Sequence, residues 1–224
     1  MRRRLSSGEG DLTDKHQTDG KARPRTQAER SRQMRERIIT AFISCIEKYG
    51  LAETSVSQIT REAGITRGAY LHHFKAKHLI YKDAALRLVS DSFRKVSNIP
   101  VHPDGPAADL KQVLLCIWDD VVISPEGRAF SELMQAARTD ELVAQYMRRP
   151  ALRALRIFGY VAKRRFPFRA GSKMKTNDFL RMTQWTLRGM AADTALVYQA
   201  DFFHRQIDLL VDDIADELET GAPL

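Results

Sequence analysis

The sequence is short of the features that would mark an exported, membrane-spanning or catalytic protein. Of 224 residues only two are cysteine, Cys45 and Cys116. Each lies in an apolar stretch of helical pattern, which predicts buried free thiols rather than a disulfide, and a cytoplasmic chain. No run approaches the ~18 consecutive apolar residues that a membrane-spanning helix needs. Met1-Arg2-Arg3-Arg4 has the charge of a signal-peptide start, but Leu5 to Gly20 is polar and supplies no apolar core. There is no phosphate-cradling glycine loop and no nucleophile elbow. His72, His73 and His78 are not at metal-ligand spacing with any Cys, Asp or Glu, and Asp119-Asp120 and Asp212-Asp213 have the pattern of helix-surface acids. Neither a metal nor a cofactor is expected, and an enzyme is not.

Proline is also scarce outside one place. Asn98 to Pro106 holds three prolines and a glycine, which end any helix and mark a connector over residues 98–106. On either side the pattern is helical. Thr26-Gln27-Ala28-Glu29 is a capping box that opens a helix to Tyr49, with Gly50 after it. Ile38, Phe42, Cys45 and Tyr49 form its apolar face. A further helix is expected from about Lys77 to Ser97. Beyond the connector, helices are expected over Asp109–Ile123, from Ser124-Pro125-Glu126 to about Thr139, and from Asp140 to about Phe166, with Pro150 kinking or dividing the last.

The net charge of +8 is confined to one segment. Residues 1–20 carry four basic and four acidic residues, residues 21–82 carry thirteen against five, and residues 83–224 carry nineteen against nineteen. An excess confined in this way fits a surface that neutralises phosphates.

Within that basic segment, Ser55 and Gln58 make a second capping box, Gly64 follows as a helix-closing residue, and Thr66 caps the next helix, from Arg67 to about Phe74. Helix, tight glycine turn, helix is the geometry that puts the second helix into a DNA groove, and it also occurs in all-α domains that bind no DNA. The residues Ile59, Ala63-Gly64-Ile65-Thr66, Gly68, His73-Phe74 and Lys77 resemble the TetR family of bacterial repressors. The pattern of that family there is close to Ile-Ala-x-x-Ala-Gly-Val-Ser-x-Gly-x-Leu-Tyr-x-His-Phe-x-x-Lys. The likeness reaches back through Arg35-Glu36-Arg37-Ile38-Ile39, Ala41 and Gly50, covering roughly residues 27–82. The resemblance implies an all-α fold with an N-terminal three-helix helix-turn-helix DNA-binding domain (26–82) and a helical effector-binding and dimerisation domain (83–224). It also implies a homodimer on a palindromic operator of double-stranded DNA, released by a small-molecule effector. A ligand-independent architectural DNA binder is the alternative.

Carried over by position, the resemblance assigns DNA contacts to Thr66, Arg67, Gly68, Ala69, His72, His73 and Lys77, with Ser55 and Ser57 from the preceding helix. Arg67 has the fork for guanine O6 and N7, and Ala69 could meet a thymine methyl. Lys77 is expected on a phosphate. The usual Leu-Tyr is exchanged for Tyr70-Leu71, so either Tyr70 turns to take the phosphate contact or Leu71 sits against a base methyl. Residues 1–25 read as a disordered basic arm in which Arg23-Pro24-Arg25 precedes the first helix; such an arm either reaches a minor groove or is a solvated tail.

In the second domain, Arg148 to Lys175 holds ten basic residues and no acid, which reads as a solvated or intramolecularly paired face. The seven acids of residues 201–219 are a possible counterpart. Helices of about 177–198 and 202–219 are expected to form the dimer surface. The second carries the stripe Phe203, Ile207, Leu210, Ile214 and Leu218, which an intramolecular core would equally produce. Trp118, Phe130, Met134, Phe158, Phe179, Met182 and Trp185 are candidate effector-pocket residues, for which core packing is the competing explanation.

Overall fold

The computed structural model describes residues 26–196 and 199–219. Those residues form nine α-helices with short helical turns between them and no named strand. The arm of residues 1–25 lies outside the described residues.

Helix α1 (Gln27–Glu53) opens on the capping box: Thr26 Oγ1 accepts from Glu29 N at 3.2 Å and the Glu29 carboxylate accepts from Thr26 N at 2.8 Å. Gly50, with φ 76°, breaks the helical run near its end, a backbone that a side chain would strain. Tyr49 is 42% exposed, so the buried face is Ile38, Phe42, Cys45 and Ile46 without it. Next come α2 (Val56–Ala63), α3 (Arg67–His73), a 3-10 turn (Lys77–Ile80) and α4 (Tyr81–Ser97). After the connector come α5 (Pro106–Cys116), a π-helical turn (Ile117–Val122), α6 (Pro125–Ala136), α7 (Glu141–Arg165), α8 (Thr176–Asp193) and α9 (Ala200–Asp212).

Two cores are buried. The first joins Ile38, Phe42 and Ile46 of α1, Ile59 of α2, Tyr70 of α3 and Ala84, Ala85 and Leu88 of α4 to Leu133 of α6 and Met147 of α7. Helix α6 is therefore packed on α1, and Arg128 of α6 pairs with Glu47 at 2.6 Å. The second core joins Val96, Leu110, Leu114, Trp118, Phe166, Phe179 and Leu187 to Phe203, Ile207, Ile214 and Leu218.

Four expectations are corrected here. Helix α7 runs from Glu141 to Arg165 undivided, with Pro150 inside it and buried; packing over many turns offsets the one hydrogen bond a proline removes. The last expected helix ends at Asp212 and gives way to a 3-10 turn at Ala215–Glu217 and a bridge between Phe168 and Leu218. The basic run of residues 148–175 does not find the C-terminal acids. Among the described residues its one ion pair is Arg165 with Asp109, at 2.7 Å and almost fully buried, and the Arg165 guanidinium also donates to the carbonyls of Ile99 and Pro100. Burial works to raise the Asp109 carboxyl, but hydrogen bonds donated by the Arg165 guanidinium and by His102 N, with the charge of Arg165, hold it below its ordinary range, and the pair fixes the connector. Cys116, finally, is half-buried rather than buried; burial and then the neighbouring Asp120 push its thiol up to about 11.

Candidate nucleic-acid interface

The α2–α3 unit is built from local signals. Ser55 Oγ accepts from Gln58 N at 3.3 Å and Gln58 Oε1 accepts from Ser55 N at 2.7 Å, closing the box that starts α2. Gly64 takes the left-handed conformation, φ 59° and ψ 44°. That backbone is what the turn needs glycine for; a Cβ there would also lie 2.8 Å from a guanidinium nitrogen of Arg37, the far end of a side chain that can move aside. Thr66 Oγ1 then accepts from Ala69 N at 3.2 Å and starts α3.

One side of α3 is anchored and the other is bare. Tyr70 is fully buried, its ring tilted against Phe74 with centroids 6.0 Å apart. Arg67, Gly68, Leu71 and His72 are exposed, and Ala69 and His73 are half-buried. Thr66, Ser55 and Ser57 are exposed along the same unit. Burial, followed by the neighbouring His72 and Arg35, lowers the His73 imidazole below its ordinary range.

Two predicted contacts need correction. Tyr70 cannot turn outward for a phosphate without leaving the core. Its hydroxyl is buried with no hydrogen-bond partner among the described residues, and burial pushes it up to about 12. Lys77 is turned inward too: its ammonium donates to the carbonyls of Leu51 at 2.9 Å and Thr54 at 2.7 Å. It ties the end of α1 to the start of α4, and burial lowers its pKa. A lysine in a basic domain reads as a phosphate ligand because the sequence does not reveal orphan carbonyls more than twenty positions away.

Arg35 is likewise structural. Its guanidinium lies 4.2 Å over the Phe74 ring, pairs with Asp83, and donates to the carbonyl of His73 at 3.1 Å, holding the end of α3. Ser44 and Lys48 of α1 both donate to Glu62 of α2, at 2.9 and 3.0 Å. The Lys48 hydrogen bond is the main reason the Glu62 carboxyl lies below its ordinary range. Arg61 and Lys75, which the sequence reading passed over, are exposed beside the unit and make no ion pair with the described residues. The result is a rigid two-helix unit with an exposed strip of one guanidinium, one glycine, one leucine and one imidazole. Such a strip can approach a base edge closely and donate hydrogen bonds to it.

The seven candidate pocket residues are not brought together. Phe130 and Met134 pack on the first core, while Trp118, its ring tilted against Phe203 with centroids 5.0 Å apart, lies in the second with Phe158 and Phe179. Met182 and Trp185 point away from both, 46% and 64% exposed. A cleft of about 300 Å³ opens elsewhere, between α4 and the π-turn, its lining including the charged residues Arg87, Asp91, Arg94, Lys95, Asp120 and Glu126. Among the described residues there is no cluster of side chains able to hold a metal ion, and no helix is long and apolar enough to cross a membrane.

Residues 38–89 match the profile of the tetR family of bacterial regulatory proteins. An uncharacterised HTH-type transcriptional regulator of Mycobacterium tuberculosis is 35% identical over 122 residues, covering 52% of this chain and 60% of that one. The chain thus spans about 60% of the length of that curated relative. Among solved structures, a transcriptional regulator from Rhodococcus sp. superposes with a TM-score of 0.67 at 20% identity, over 84% of this chain and 99% of that one. A regulator from Saccharomonospora viridis, solved in complex with choline, superposes with a TM-score of 0.62 at 14% identity, over 85% and 100% of the two chains. At these identities the two structures share the fold.

Proposed function

We propose that this chain, which belongs to the TetR family of bacterial regulatory proteins, is a cytoplasmic, homodimeric transcriptional repressor that binds a palindromic operator and is released by a small molecule. The observation that carries the reading is the bare strip of α3, held outward by Tyr70 and Phe74, on the segment that contains the whole of the net positive charge. Arg67 takes a guanine through its fork. Gly68 and Ala69 let the backbone come close, and His72 and His73 donate to phosphate or a base edge. Thr66, Ser55 and Ser57 contact the flanking backbone.

A dimer surface is offered by α8. Met182, Trp185, Gly189 and Ala192, with Leu196 just beyond the helix end, recur at three, four, three and four, and all are exposed. A Cβ on Gly189 would meet nothing within 4 Å among the described residues. This seam has the spacing by which one helix packs along another. The apolar stripe of α9 is occupied by its own core, so α9 would add its opposite side, where Leu209 is 57% exposed. Two-fold symmetry would set the two α3 helices about one DNA turn apart, ~34–36 Å, and an effector that favours another spacing would release the operator. The choline complex of the Saccharomonospora relative supports a small-molecule effector for this fold.

Replacing Arg67 with alanine should weaken binding to a selected operator by about ten- to a hundred-fold and relax the preference for one guanine. Unchanged affinity and preference would refute the reading. Equal affinity for selected and random DNA with a steep salt slope would favour an architectural binder instead.

A further inference from the structure

The bare strip of α3 has a composition that is odd for a surface meeting polar base edges. Arg67, Gly68, Leu71 and His72 stand at spacings of one, three and one, so they share one side of the helix. Leu71 lies one turn from Arg67 and beside Gly68, where an added Cβ would meet only Thr66 Oγ1, at 3.9 Å. Its side chain is 41% exposed while that of Tyr70 is fully buried. The two cannot trade places, because rotating α3 to bury Leu71 would eject Tyr70 and Phe74 from the first core. Leucine neither donates nor accepts a hydrogen bond. Pressed against an amine, a carbonyl or a ring nitrogen it would strand that group without water, at a cost comparable to a lost hydrogen bond. On the edges of the four base pairs in the major groove, the thymine methyl is the apolar group that suits it.

Resting on the DNA-binding reading above, we propose that Leu71 is a specificity residue that reads a thymine through its 5-methyl group. That thymine lies within about two base pairs of the guanine taken by Arg67, since one helical turn is about 5.4 Å and a base step about 3.4 Å. The glycine at position 68 lets the backbone approach closely enough for so short a side chain to touch the base. Leu71 therefore contributes base selection where a tyrosine would have given a phosphate contact.

The test uses a duplex selected by the intact protein from a random pool and remade with each thymine replaced in turn by deoxyuridine. Deoxyuridine keeps every hydrogen-bonding group and lacks only the methyl. At the thymine read by Leu71, the unsubstituted protein should lose about four-fold in affinity per half-site. Leu71→Ala should bind thymine and deoxyuridine duplexes equally there, while Arg67→Ala should still discriminate between them. Because Leu71 is exposed, Leu71→Ala should unfold at the same denaturant midpoint as the parent, separating a lost contact from a lost fold. Indifference of the unsubstituted protein to deoxyuridine at every position, with specific binding intact, overturns the assignment. So does a Leu71→Ala variant that keeps the discrimination. If no duplex is enriched at all, the sequence-specific operator reading falls and this inference falls with it.

Discussion

At the scale of single residues, Tyr70 carries a buried hydroxyl that is unpaired among the described residues. The ring is needed: it fills the first core with Phe74 and sets which side of α3 faces outward. The hydroxyl is not, so Tyr70→Phe should leave stability unchanged or raise it by up to about 1 kcal/mol, read from the denaturant midpoint. A loss of more than that would mean the oxygen has a partner. His73 gives a second residue-level expectation. In the free protein its imidazole is held below the ordinary value by burial, His72 and Arg35. A phosphate beside it would raise that value, so the complex binds more protons than the separate partners. Operator affinity should then strengthen as pH falls through the imidazole range, and His73→Gln should flatten that slope in a binding titration. An unchanged slope would remove His73 from the interface.

At the scale of elements, the first turn of α6 rests on the π-turn that ends α5. An added Cβ on Gly127 would stand 1.9 Å from the carbonyl oxygen of Val121 and 2.3 Å from that of Val122, both backbone atoms with no rotamer to yield. Gly127→Ala should therefore destabilise by about 3 kcal/mol or more, measured by thermal or denaturant unfolding. A near-neutral result would show that the turn can relax. The α8 seam makes a separate claim. Trp185, 64% exposed in the single chain, should be buried in the dimer. Trp185→Glu should shift the protein toward monomer in sedimentation without lowering the stability of the monomer, whereas an unchanged dimer would place the two-fold contact elsewhere.

At the scale of the whole molecule, the α2–α3 unit does not own its core. Leu133 of α6 and Met147 of α7 are buried among residues of α1 and α4. Leu133→Ala should cost about 2–5 kcal/mol and destabilise the α2–α3 unit along with α6, seen as faster amide exchange in both. What the sequence revealed was what neighbours in the chain decide. Ser55 with Gln58, Gly64 and Thr66 each act within a few positions, so caps and turn were readable, and with them the outline of the interface. Lys77 and Arg35 were not, because their partners at Leu51, Thr54 and Asp83 are brought to them only by folding. The π-turn has no sequence signature of comparable strength. The stripe of α9 is equally consistent with a partner and with its own core, and burial of Phe203 and Ile207 decides for the core.

The central claim, that the bare strip of α3 reads DNA as one half of a two-fold pair, is tested most directly by selecting duplexes from a random pool with the intact protein. Affinity for the winning sequence should then be measured against random DNA over a range of salt. The expected result is a palindrome with half-sites one turn apart, bound at least about a thousand-fold more tightly than random sequence, with affinity falling steeply as salt rises. No enriched sequence, or an enriched one without two-fold symmetry, would contradict it.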